Sequence, residues 1–149
     1  MWRPTVNEEA IRNVVRSLAD AWNVHDAEAF ARAFQHDAQF TNVFGMEAAG
    51  RESIARFHAP IFRTMFKDSR LECAPPRIRF IRPDVAAVDV HWTMTGARDP
   101  QGNPWPERRG LMNLIITPDE GRWSIAVMHN MDLPAPDLRD AQQRLQESA

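Results

Sequence analysis

The best candidate for acid–base chemistry in the sequence is His58. It lies on the apolar side of a helical repeat whose members are spaced three and four residues apart: Ile54, Phe57, His58, Ile61, Phe62, Met65 and Phe66. An imidazole titrates close enough to neutrality to transfer a proton at physiological pH. Two interpretations stay open here. His58 is either a catalytic base or a histidine at the end of the core whose ring is satisfied by one backbone carbonyl.

Three asparagines and one arginine add hydrogen-bonding capacity without acid–base chemistry. Asn42, Asn113 and Asn130 lie in segments with strand-like alternation. An amide can donate to a carbonyl or an oxyanion, but it cannot accept a proton at neutral pH. Arg109 shares a strand face with Asn113, where it would pair with a ligand carboxylate or phosphate, or else remain a solvated partner of Glu107.

Other kinds of chemistry lack the residues they need. No two histidines are spaced three or four apart, no glycine-rich phosphate loop occurs, and Cys73 is the sole cysteine. We therefore expect no metal, no cofactor and no disulfide, and we interpret Cys73 as a buried structural residue.

Composition narrows the class of protein further. The chain has 149 residues, 44% of them hydrophobic, a formal net charge of −2 and no tyrosine. These values predict one globular domain and no nucleic-acid partner. No apolar run reaches 18 residues and none follows the N-terminus, so we expect no membrane span, no secretory signal and a cytoplasmic location.

Local patterns predict helices first and strands afterwards, which is an α+β order. One helix follows a capping box at Thr5–Glu8, a second is capped by Asp26 and carries Phe30, Ala33 and Phe34, and a third spans 51–66. Strands are predicted at 37–44, 70–82 (interrupted by Pro75-Pro76), 85–96, 108–117 and 122–131. Residues 1–133 form the predicted domain, and 134–149 form a polar tail with scope for a short exposed helix at 137–146.

Alternation along 85–96 predicts which side of the sheet is covered. Apolar residues occupy one parity: Ala86, Val88, Val90, Trp92 and Met94. We expect this face to lie inside and Asp89 and His91 to lie outside, unless a bulge reverses the strand. Helices packed on the concave face of a curved sheet would leave a pocket inside a cone.

Several motifs, in their order, resemble the NTF2-like superfamily. They are AWN-x-HDA-x-AF from Ala21, F-x-x-DA-x-F-x-N from Phe34, GR-x-x-I from Gly50 and G-x-W-x-I-x-x-x-H from Gly121. The likeness covers about residues 7 to 132, and it is nearest to SnoaL-like and SgcJ/EcaC-type (DUF4440-like) domains. It implies the cone-shaped α+β fold with an internal pocket, and commonly a homodimer formed through the sheet.

The resemblance also argues against two activities of that superfamily. Ketosteroid isomerases have aspartates where this chain has Asn42 and Asn113, and a tyrosine near Leu18. Limonene epoxide hydrolases keep the asparagine, but they also need an Asp-Arg-Asp set. In this chain Met128 stands at the acid position of the final strand, and Ala87 and Asp89 stand where the arginine and the other acid would be, so one of the three is kept. Comparison with the isomerases also implies that Asn130 faces the pocket and that His129 faces an interface.

The combined prediction is a pocket for a small, apolar, oxygenated, polyketide-like molecule. It would be lined by Leu18, Trp22, Phe40, Asn42, His58, Val90, Trp92, Arg109, Asn113, Met128 and Asn130. Either the protein converts this molecule by cofactor-independent proton transfer through His58, or it only binds it. A further alternative is a dimerisation module whose function lies on the outer sheet face, with Asp89, His91, Thr93 and His129.

Overall fold

Four helices are present in the computed structural model, which describes residues 5–134 and 136–148. They are α1 (Val6–Asn23), α2 (Ala27–Ala31), α3 (Arg51–Arg63) and α4 (Pro136–Glu147). Both predicted N-caps are present: the Thr5 hydroxyl accepts from the Glu8 amide at 3.1 Å, and the Asp26 carboxylate accepts from the Ala29 amide at 3.0 Å.

Seven strands of the described chain form one curved sheet. They are β1 (Phe34–Thr41), β2 (Glu47–Ala49), β3 (Arg70–Cys73), β4 (Arg77–Arg82), β5 (Val85–Thr95), β6 (Arg108–Asp119) and β7 (Arg122–Asp132). Their order is β2-β1-β7-β6-β5-β3, and β4 also pairs with β5. Only the β1–β7 pairing is parallel among those described. The predicted α+β class is therefore confirmed, and the sheet is mixed.

The predicted strand boundaries were wrong at the start of β1. It begins at Phe34, not at Asp37, so α2 ends at Ala31 and Phe34 belongs to the sheet. Phe34 is in register with Ile125 of β7, and the Ile125 amide donates to the Ala33 carbonyl at 2.9 Å. Pairing with a strand distant in sequence thus overrides the helical spacing of the phenylalanines. The short strand β2 was not predicted.

The third helix also ends earlier than predicted, at Arg63 instead of Phe66. The amide of Phe66 donates to the Ile61 carbonyl at 2.9 Å, which closes the chain into a turn. Phe66 still packs in the core, so the apolar spacing was sound although the helix stops.

The end of α1 is fastened to β3 by side chains from the first motif. The Asn23 amide donates to the Leu71 carbonyl at 2.9 Å and accepts from the Leu71 amide at 2.7 Å. The Trp22 indole donates to the Ser69 hydroxyl at 3.0 Å. These bonds fix α1 across the concave side of the sheet, where α3 also packs, and the space between helices and sheet is left as a cavity.

The polar tail contains α4, which buries none of its described side chains. The sequence allowed a short exposed helix at 137–146, and α4 spans Pro136–Glu147. Within residues 5–134 and 136–148 no helix combines the length and apolar character that crossing a membrane requires. The cytoplasmic location stays a prediction.

Candidate functional site

A cavity of about 460 Å³ lies between the helices and the concave face of the sheet. Its walls are mostly aromatic residues, methionines and aliphatic residues. The polar residues that line it are Asn42, Arg56, His58, Arg108 and Asn130, and none of the described lining residues is a carboxylate. The volume is in the range of small-molecule sites.

Eight of the eleven predicted pocket residues line this cavity: Leu18, Trp22, Phe40, Asn42, His58, Trp92, Met128 and Asn130. The structure does not place Val90, Arg109 or Asn113 there. Val90 lies on the inner face as expected, but it is fully buried in the core and does not line the cavity.

Arg109 and Asn113 were predicted for the pocket, and the structure places both on the opposite face of the sheet. Residues paired across antiparallel strands point to the same side, and Asn113 pairs with Asp89 while Arg109 pairs with Thr93. The Asn113 amide donates to the Asp89 carboxylate at 2.8 Å. Because β5 pairs with β6 from Ala86 to Met94 without irregularity, no bulge reverses these faces.

The outer face carries an ion pair around Asp89, as expected for the solvent side of β5. Arg77 binds its carboxylate, and that hydrogen bond, followed by the one from Asn113, holds the pKa of Asp89 below its usual value. Arg109 and Cys73 both line a separate, more open cavity of about 400 Å³. Burial raises the pKa of the Cys73 thiol to about 11, so the thiol stays protonated at neutral pH.

His58 is 2% exposed and stands among aromatic rings. The ring centroids of Phe30, Phe40, Phe57 and Phe62 lie 4.3, 4.9, 5.2 and 5.6 Å from that of the imidazole. Desolvation by these surroundings lowers the pKa of His58 from 6.5 to about 4, against the opposing effect of the backbone hydrogen bond to Ile54. The ring is therefore uncharged at neutral pH.

The tautomer of His58 follows from its one hydrogen bond within the described chain. Nδ1 lies 2.7 Å from the carbonyl oxygen of Ile54, one helical turn earlier. A carbonyl only accepts, so the neutral ring carries its proton on Nδ1 and a lone pair on Nε2. The side chain thus presents an acceptor as the polar atom left for a molecule in the cavity.

The two asparagines that line the cavity have committed their carbonyl oxygens to the protein. Asn42 Oδ1 accepts from the amides of Phe44 and Met46, both at 2.9 Å, and shapes the turn between β1 and β2. Asn130 Oδ1 accepts from the Trp92 indole at 2.7 Å. Both side chains therefore offer a ligand their NH₂ groups, which are donors.

Arg108, which sequence reasoning missed, is the cavity's buried cation. Its side chain is 8% exposed, and Nη2 donates to the Asp132 carboxylate at 2.8 Å. A signal was available in the sequence, because Arg108 shares the parity of the apolar residues Met112, Leu114 and Ile116 on β6.

Gly110 explains how the Trp92 indole reaches across the sheet. The two residues are cross-strand partners, and a Cβ at Gly110 would lie 1.9 Å from Trp92 Cζ2. Only a residue without a side chain leaves space for the ring, which then extends to Asn130 and forms part of the cavity wall.

Metal-ligating groups do not converge in the part of the chain that the structure describes. No three His, Cys, Asp or Glu side chains there are grouped so that they could hold an ion. The expectation of no metal and no cofactor stays a prediction.

The model of the SnoaL-like domain matches residues 15–131. The chain belongs to the SnoaL-like domain family. This membership and the cystatin-like folds of similar structures confirm the predicted NTF2-like superfamily, whereas the finer likeness to SgcJ/EcaC-type (DUF4440-like) domains stays a prediction. No curated protein matches the chain.

Solved structures similar to this SnoaL-like domain share its whole architecture. An uncharacterised protein of Caulobacter vibrioides with a cystatin-like fold is 29% identical, with a TM-score of 0.83, covering 93% of this chain and 96% of the other. A Nostoc punctiforme domain with the same fold is 26% identical, with a TM-score of 0.80 and coverage of 97% and 95%. A candidate scytalone dehydratase of Novosphingobium aromaticivorans is 16% identical, with a TM-score of 0.73 and coverage of 87% and 85%, which shows the fold alone.

Proposed function

We propose that this SnoaL-like domain binds a small, mostly apolar, oxygenated molecule of polyketide-like size in its cavity. The observation that carries the proposal is a 460 Å³ apolar cavity whose wall holds a few polar groups with defined donor or acceptor roles. Burial of apolar surface would supply most of the affinity, and the polar groups would orient the molecule.

The polar groups specify what the molecule presents to them. His58 Nε2 accepts a hydrogen bond, so it suits a hydroxyl group of the ligand. The NH₂ groups of Asn42 and Asn130 donate, so they suit a carbonyl or another oxygen acceptor. A ligand with a hydroxyl and a carbonyl on an apolar skeleton satisfies both kinds of group.

Binding is favoured over proton transfer by the state of His58. A general base works best when its pKa lies near the operating pH, and the pKa of His58 is lowered to about 4. The alternative is an enzyme in which His58 transfers a proton without a cofactor. The two proposals differ in whether a product accumulates when the natural ligand is incubated with the protein.

The test uses 2-naphthol and 2-methoxynaphthalene. The second compound keeps the ring and the oxygen, but a methyl group replaces the hydroxyl proton whose hydrogen bond His58 would accept. By calorimetry, we expect the protein to bind 2-naphthol roughly 5-fold more tightly, since one neutral hydrogen bond contributes about 1 kcal/mol. His58→Phe should abolish this preference. His36→Phe, which changes an exposed histidine of β1 that does not line the cavity, should keep it.

Two results would contradict the proposal. If neither naphthalene binds to the wild-type protein, the cavity is not a site for apolar molecules. If His58→Phe keeps the preference for the hydroxyl compound, His58 does not accept the hydrogen bond.

A further inference from the structure

Arg108 holds far more hydrogen-bonding capacity than its neighbours use. A guanidinium has five N–H donors. Within the described chain, one of them is bonded to oxygen, that of Asp132 at 2.8 Å from Nη2. Nη1 donates to the Met94 sulfur at 4.0 Å, which is a weak acceptor, and Nε is buried without any partner. Leaving such groups unpaired in the interior costs free energy.

The guanidinium is also held in a fixed orientation. Its Cζ lies 4.2 Å from the ring centroid of Trp105 and 5.5 Å from that of Trp92. Cation–π contacts of this kind position the planar group and leave its edge for hydrogen bonding. Trp92 in turn is hydrogen-bonded to Asn130, so the cation and the Asn130 NH₂ group belong to one connected set of side chains.

The partner of Arg108 does not saturate it. The Asp132 side chain is 41% exposed and contacts the guanidinium through one oxygen, whereas the Arg108 side chain is 8% exposed and lines the cavity. The described lining residues include no acidic group to take the remaining donors. Nε and Nη1 of Arg108 therefore remain donors without an oxygen acceptor among the described residues.

We propose that Arg108 anchors a carboxylate of the ligand, so that the molecule bound in the cavity is an apolar carboxylic acid in its ionised form. This inference rests on the proposed function and specifies the chemical class of its ligand. A carboxylate supplies two oxygen acceptors in the plane of the guanidinium, and the Asn130 NH₂ group adds another donor. A single buried cation in an apolar wall matches a monoanion better than a doubly charged phosphate.

The experiment compares 2-naphthoate with 2-naphthamide, which keeps the shape and removes the charge. Calorimetry on the wild-type protein should show tighter binding of the acid. Arg108→Met removes the donors and keeps an apolar chain of similar reach, and we expect it to weaken 2-naphthoate about 30-fold, because hydrogen bonds to charged groups are the stronger ones. Binding of 2-naphthamide should change less than about 3-fold.

Arg109→Met is the matched control, because it removes the adjacent arginine from the outer face of the same strand. It should leave the affinity for both probes unchanged. Equal losses of 2-naphthoate affinity in the two variants would show that only net charge matters, and would overturn the assignment to Arg108.

A second variant should raise the affinity for 2-naphthoate, and damage to the fold would not have this effect. Asp132→Asn removes the carboxylate that competes with the ligand for Arg108, which is itself unchanged in this variant. We expect 2-naphthoate to bind about 3-fold more tightly, since a partly exposed charge contributes modestly.

The outcomes separate the inference from the proposed function. If the wild-type protein binds both naphthalene probes equally, and Arg108→Met affects them equally, the carboxylate anchor is wrong and the apolar cavity site stands. If the wild-type protein binds none of the naphthalene probes, both proposals fall.

Discussion

The two basic side chains buried in the cavity wall differ in charge, each for its own reason. His58 and Arg108 both line the cavity, yet they differ in charge. Burial among aromatic rings takes His58 out of water, which lowers its pKa and keeps the ring neutral. Arg108 carries a guanidinium cation, which pairs with the Asp132 carboxylate and packs against two indole faces. Within one apolar wall, His58 therefore acts as a neutral hydrogen-bond acceptor and Arg108 as a cation.

The stability of the fold should depend on pH through His58. Its pKa is 6.5 in the unfolded chain and about 4 in the folded one, so between these values the unfolded state binds more protons. The stabilising contribution is complete above pH 6.5 and is lost as the pH falls toward 4. We expect about 2 kcal/mol less free energy of unfolding at pH 5 than at pH 7 from this residue.

Urea unfolding at the two pH values measures this effect. His58→Phe should remove most of the difference, because phenylalanine does not titrate. The variant His36→Phe, at an exposed position of β1, should retain it. An unchanged pH dependence in His58→Phe would show that another group is responsible.

Single positions also show where the sequence was informative. The alternation of β5 correctly predicted the covered face and the outward Asp89, because every second residue is apolar. Asn113 was misplaced because it was assigned to the pocket by resemblance to the isomerases, whereas its own strand places Met112 and Leu114 inside. Applying the same parity to β6 would have identified Arg108.

At the scale of elements, a pair of neighbouring strands shapes the cavity wall through Gly110 and Trp92. The glycine on β6 lets the indole from β5 lie across it, and the indole positions Asn130 on β7. The helix caps at Thr5 and Asp26 were predictable because they depend on residues three positions apart. The early start of β1 and the short β2 were not, because they depend on partners that local patterns do not reveal.

Gly110→Ala should destabilise the protein and disturb the cavity wall. The added methyl group would overlap the Trp92 ring and approach the Met131 carbonyl oxygen to 2.6 Å. We expect a loss of about 2–3 kcal/mol in chemical denaturation, typical of overpacking, with a change in tryptophan fluorescence.

The matched control is Gly102→Ala, in a loop with open space around the Cβ position and φ of +88°. It should cost about 1 kcal/mol through backbone strain alone and leave the fluorescence unchanged. Wild-type stability in Gly110→Ala would show that Trp92 does not need the glycine.

At the scale of the whole molecule, the sheet has two faces with different characters. The helices pack on the concave face, and the hydrophobic core lies between them and the sheet. On the outer face, Ala87, Ile115 and Val127 form a half-exposed apolar row across three strands, beside the polar row of Asp89, Asn113 and His129. We propose that a second copy of the chain covers this face, as the sequence resemblance implied.

Val127→Glu tests the homodimer by placing a charge in the apolar row. By light scattering, we expect the wild-type protein to have twice its 17.1 kDa chain mass, and Val127→Glu to have the mass of one chain. Val24→Glu, at an exposed position after α1, should remain dimeric. A monomeric wild-type protein would contradict the proposal.

The parallel pairing of β1 with β7 sets the order in which the molecule can be completed during synthesis. Phe40 and Met128, which are in register, are about 90 positions apart in the chain. Until β7 leaves the ribosome, β1 has β2 as its partner and a free edge on the other side. The nascent chain therefore carries an unsatisfied strand beside an open apolar cavity, and truncation before residue 122 should yield aggregates, not a smaller domain.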